Sequence, residues 1–111
     1  MQPPDPPVPI DATLAVGASI LTVTFDKPLQ PGISVAGNWT GVGLFGAVLN
    51  DFTPFGNLTI AGSTVAGFIG SIPGPVPGPT RISYAAAPAD VIALTGEPVT
   101  AFTDFPLTML P

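Results

Sequence analysis

Positions 19–25 read Ser-Ile-Leu-Thr-Val-Thr-Phe, with Leu21, Val23 and Phe25 on one side of the alternation and Thr22 and Thr24 on the other. Side chains of a strand point to opposite faces in turn, so this period of two predicts a half-buried strand whose core face is Leu21, Val23 and Phe25. Residues 10–16 precede it across Gly17 and Ala18 and read as its hairpin partner. Asp26, Lys27 and Pro28 end the second strand, because proline has no N–H for a central ladder. Residues 29–32 form a turn. Residues 33–40 read as one strand centred on Trp39, and 44–49 as another, followed by a turn region at 50–56. Residues 57–61 and 64–69 flank Gly62 and Ser63 in the manner of a hairpin. Residues 71–80, rich in Pro and Gly, form a connector. Residues 81–85 read as a strand with Ile82 and Tyr84 on one face. After a loop at 86–98, strands at 99–105 and 107–110 close the domain and bring Phe102 to the core.

Seven or eight short strands at this spacing predict an all-β, Greek-key β-sandwich. Composition points the same way. The 111 residues include 16 Pro and 13 Gly, which excludes long helices, and with them bundles, coiled coils and doubly wound folds. Hydrophobic residues make up 46%, including seven Phe, which is too apolar for a disordered chain. The length fits one domain, placed at 10–111. Residues 1–9 carry Pro3, Pro4, Pro6, Pro7 and Pro9. Each proline fixes its own φ and extends its predecessor, so this segment is expected to be an arm outside the core. Such a pre-extended arm could dock on a neighbouring subunit. It has neither the basic start nor the apolar run of a secretory signal.

The inventory removes much chemistry. There is no His and no Cys, which excludes His-based triads, thiol nucleophiles, zinc sites and disulfides. Seven acids face only Lys27 and Arg81, for a formal net charge of -5. Two cations cannot neutralise a phosphate backbone, so nucleic acid is not an expected partner. No stretch has the helix-compatible apolar order of a membrane span. No cofactor or metal is expected.

Gly41, Gly43 and Gly46 match G-x-G-x-x-G, but a dinucleotide site needs that motif between a strand and a helix, and no helix can follow here. A Gly-rich strand is the expected structure. The N-x-T triplets at Asn38 and Asn57 are read as chance. The carboxylates Asp5, Asp11, Asp26, Asp51, Asp90, Glu97 and Asp104 are scattered beside turns, where aspartate bonds nearby backbone N–H groups. None has calcium-loop spacing. A Ser–Lys dyad would require Lys27, which sits in a turn beside Asp26. Trp39 and Tyr84 are expected to be core residues, with exposed sugar-stacking platforms as the alternative.

Three segments carry a family resemblance: LTVTFDKPLQPG at 21–32, LTIAGSTVAGFI at 58–69 and RISYAAAPADVIALTGEPVTAFTDFPL at 81–107. They resemble the opening strand and turn, the central hairpin and the closing unit of bacterial Ig-like domains of the SwmB type. More loosely, the chain resembles Ig-like domains that decorate tailed-phage particles. The resemblance implies an Ig-like sandwich used as a spacer, display or adhesion module, without catalysis. In such folds a tyrosine at the position of Tyr84 often turns its hydroxyl to the backbone as a corner lock. The expectation is therefore a non-enzymatic structural protein of a virion, at a phage head or tail, whose partners are capsid or tail subunits. The alternative is an extracellular or cell-surface carbohydrate-binding or adhesin module.

Overall fold

The computed structural model describes residues 5–15, 20–45, 48–52, 56–68, 81–86 and 89–110. Alternation dictates its first hairpin. Strand β1 (Pro9–Ala15) pairs antiparallel with β2 (Ile20–Phe25), whose Leu21, Val23 and Phe25 are buried while Thr22 and Thr24 stay partly exposed. A short strand β3 (Gly32–Ser34) and a 3-10 turn at Ala36–Asn38 lead into β4 (Trp39–Phe45) and then β5 (Val48–Phe52). β6 (Leu58–Ala61) and β7 (Thr64–Phe68) form the expected hairpin, with Gly62 at φ +60 in the left-handed region that favours glycine. β8 (Arg81–Tyr84), β9 (Phe102–Pro106) and β10 (Thr108–Leu110) complete the chain.

The strands form two sheets, ordered β10-β1-β2-β7-β6-β3 and β5-β4-β8-β9. Every neighbouring pair is antiparallel except β1 with β10. The chain is thus an all-β sandwich. Stripped of β3, β5 and β10, the order is the four-on-three arrangement of the immunoglobulin fold, with β4 in the third-strand position where that fold carries its buried tryptophan. Trp39 opens β4 and is fully buried.

The core holds Ala12 and Leu14 of β1, the three inward residues of β2, Trp39, Leu58, Ile60, Val65, Ile82 and Tyr84, with Leu29, Val91, Val99 and Leu107 from connecting segments. Phe102 is half-buried and packs against it. Its ring lies 6.3 Å from Phe25, edge to face, and 6.1 Å from Trp39. Burial of a large aromatic at the seam of two sheets makes Phe25→Ala costly: about 3 kcal/mol is expected, measured by urea unfolding. Gly67 permits a close approach. A Cβ there would lie 2.8 Å from Leu58 Cγ and 3.2 Å from Leu58 Cα, inside the β7–β6 contact.

Four details differ from the sequence reading. Among the described residues there are ten strands where seven or eight are expected: the strand expected at 44–49 is divided between β4, which ends at Phe45, and β5, which begins at Val48, and residues 33–40 are not one strand. Their run breaks at the 3-10 turn, where side chains capture backbone donors: Asp90 Oδ2 accepts the N–H of Val35 and Asn57 Oδ1 that of Ala36. Residues 50–52, expected in a turn, continue β5, since five cross-strand pairs with β4 outweigh the weak strand preference of Asn and Asp. Finally, residues 5–9 are not an arm outside the core. Pro7 is fully buried and Pro6 half-buried, and Pro9 is the first residue of β1, a position proline tolerates. The segment is tied down at Asp26. Val8 N–H donates to Asp26 Oδ1 at 3.0 Å, Asp26 N–H donates to the Val8 carbonyl at 3.0 Å, and Lys27 Nζ donates to the Asp5 carbonyl. Pro3 and Pro4 lie outside the described residues.

Candidate functional site

One end of the sandwich gathers the polar side chains that sequence spacing kept apart. The loop after β8 returns Asp90 beside Tyr84, while β3 and the 3-10 turn bring Ser34, Val35 and Asn38 to the same carboxylate. Asp90 Oδ1 accepts from Ser34 Oγ at 2.8 Å and from the Tyr84 hydroxyl at 2.7 Å. Oδ2 accepts from Val35 N–H at 2.7 Å and from Asn38 Nδ2 at 3.0 Å. Four donors therefore converge on one carboxylate, two on each oxygen.

The network extends inward. Trp39 Nε1 donates to Ser34 Oγ at 2.8 Å, and the indole lies 4.6 Å from the Tyr84 ring. The Tyr84 hydroxyl also accepts the backbone N–H groups of Asp90, at 2.9 Å, and Val91, at 3.3 Å. Tyr84 thus locks the loop that follows its own strand, pinning it to the sandwich. Around this core, Gln30 ties the same loop to the opposite sheet through its side chain to the Ala93 carbonyl and its N–H to the Ile92 carbonyl.

Electrostatics follow from this geometry. Burial pushes the Tyr84 hydroxyl up, reinforced by its hydrogen bond to the Asp90 carboxylate, to about 12 from the ordinary 10.0. Burial alone would raise Asp90 too. The donors from Val35, Tyr84, Ser34 and Asn38 outweigh it and hold the carboxyl below its ordinary 3.8. A depressed folded-state value means that Asp90 stabilises the fold fully above the unfolded value, and that this contribution is lost as pH falls through the folded one. Urea midpoints measured on descending pH should therefore fall below about pH 4, and Asp90→Asn should flatten that limb.

The polar groups of this cluster bond to one another and to the backbone. Ser34 is fully buried, donates to the Asp90 carboxylate and accepts an indole N–H, so its oxygen is not accessible. The Tyr84 hydroxyl has one donated and two accepted bonds, which exhausts its capacity. Lys27 donates to the Asp5 carbonyl, 22 residues away in sequence. Among the described residues no three or more His, Cys, Asp or Glu are grouped to hold a metal, and no helix is long and apolar enough to cross a membrane. Gly41 and Gly43 lie within strand β4, and Gly46 lies outside the described residues.

Sequence reasoning singled out Tyr84 and Trp39 but not Asp90, Ser34 or Asn38. Asp90 was one of seven turn-flanking acids. Of its partners, Tyr84 is six residues away, but the other three stand 56, 55 and 52 residues away. Comparison of the chain with protein-family models, with curated proteins and with solved structures finds no match in any of the three.

Proposed function

We propose that this chain is a non-catalytic structural protein, a virion-associated Ig-like component of a phage head or tail that docks to neighbouring subunits. One observation carries this reading: the polar cluster of Ser34, Tyr84 and Asp90 is spent closing the fold, while the exposed surface holds large apolar groups. Ser34, Tyr84 and Asp90 bond to one another, whereas Ile10, Ile33, Val35 and Leu94 are each more than half exposed. With 8% charged residues, such a surface suits burial against other subunits better than free diffusion at high concentration. The resemblance of 21–32, 58–69 and 81–107 to SwmB-type domains, and the looser one of the chain to phage decoration domains, favour the same use. The glycan-binding alternative loses its two best platforms, since Trp39 and Tyr84 are buried.

The test is mass spectrometry of particles purified from cells infected by a phage that encodes this chain. The reading expects the chain in the particles at several copies each, resistant to salt washing. Its absence from them while present in the lysate would overturn the reading.

A further inference from the structure

The six-stranded sheet has an inner face that builds the core and an outer face on which cross-strand register lines up a single row. Thr108 pairs with Thr13, Thr13 with Thr22, Thr22 with Ala66, Ala66 with Thr59, and Thr59 with Ile33. Directly paired residues share a face, and the inward residues of β2 fix which one it is. Along one flank Ala15 pairs with Ile20 and Ile20 with Phe68. Along the other, Asp11 pairs with Thr24, Thr24 with Thr64 and Thr64 with Ala61. Asp11 is the one charge on these three rows. An outward sheet face usually carries a polar and charged set. Here it is hydroxyl and methyl, with Ile33 62% and Phe68 47% exposed.

We infer that this outer face is an interface with a second copy of the chain. Three features select that occupant. A threonine hydroxyl both donates and accepts, so a threonine row is chemically complementary to itself, which a row of carboxylates or ammonium groups is not. Two sheets of the same twist stack face to face at about 30°, and a second copy supplies an identical twist. A twofold axis lying in the face and passing between Thr22 and Ala66 keeps the two Asp11 carboxylates, the one charge of each copy on these rows, apart from each other.

Area sets the strength. Six strands about 4.8 Å apart and five residues deep give on the order of 400–500 Å² in projection, and more with side-chain relief. That reaches the lower range of specific interfaces, where complexes are weak and reversible. The inference goes beyond the assembly reading and stands or falls separately from it.

Sedimentation equilibrium of the purified chain, from micromolar up to roughly 1 mM, reads the association directly. The inference expects a reversible monomer–dimer equilibrium. Thr22→Arg, at the centre of the row, should stay monomeric over the same range with an unchanged melting temperature, while Thr100→Arg, on an exposed connecting segment, should dimerise like the parent. Thr59→Arg, on the exposed side of β6, repeats the disruption should Thr22→Arg fail to fold. A parent chain that is monomeric at every concentration overturns the inference, as does a folded Thr22→Arg or Thr59→Arg that still dimerises. A monomer that nonetheless joins phage particles would overturn it and leave the assembly reading intact.

Discussion

Replacing Trp39 by alanine is expected to remove about 3–5 kcal/mol of stability, the usual range for emptying a buried tryptophan site. The indole has no exposed surface, lies 4.6 Å from the Tyr84 ring and 6.1 Å from that of Phe102, and donates to Ser34 Oγ. Alanine therefore loses packing against β8 and β9, gives up the hydrogen bond to β3 of the other sheet, and leaves the buried Ser34 oxygen short of a donor. A single domain has about 5–15 kcal/mol in all, so the variant should be close to its unfolding transition at 37 °C. The measurement is urea unfolding followed by far-ultraviolet circular dichroism, because the chain's one tryptophan is gone. A loss below about 1 kcal/mol would mean that the site collapses around the gap and that Trp39 does not organise the core.

Asp90→Ala is the second large effect, at about 3 kcal/mol. It strands four donors at once: Ser34 Oγ, Val35 N–H, Asn38 Nδ2 and the Tyr84 hydroxyl. Each unsatisfied buried polar group costs about 1–3 kcal/mol, and solvent reaching the exposed side of this site recovers part of the total. Asp90→Asn keeps the shape but turns one acceptor oxygen into an NH₂ that faces donors, so it should recover less than half of the loss. Full rescue by asparagine in the same urea series would show that shape, and not the accepting carboxylate, matters.

The legible parts of this fold were the local ones. β2 announced itself through Leu21, Val23 and Phe25 because a half-buried strand must alternate, and the β6–β7 hairpin through Gly62, whose positive φ few other residues adopt. The burial of Trp39 and Tyr84 followed from their being the scarce large aromatics of a small core. The carboxylate hub was not legible. Asp90 looks like any turn aspartate, and what makes it different are partners more than fifty residues away, brought near only when β3 and the loop after β8 meet at one end of the sandwich. The same long-range capture explains why Val35 and Ala36 leave the strand that their sequence proposed. The N-terminal prolines misled for a related reason. Proline excludes a residue from a central ladder but not from burial, and Asp26, seen as a strand terminator, is also the group that fastens Val8. Composition spoke to what the chain lacks and was silent on which faces its few charges leave bare.

The central claim is that the polar end of the sandwich is a closed structural pin, and the chain's single tyrosine makes it directly observable. Tyrosinate absorbance, titrated upward in pH and paired with the fluorescence of Trp39 as a check on folding, reports Tyr84 alone. The hydroxyl's raised folded-state value means its contribution to stability is fully present below pH 10 and lost between there and about 12. The account predicts an absorbance midpoint near 12 while the chain stays folded, moving down toward the ordinary value in Asp90→Asn as the carboxylate's charge and its accepting oxygen are lost. A midpoint near 10 in the folded parent chain, unchanged by Asp90→Asn, would mean that Tyr84 is solvated and the pin does not exist.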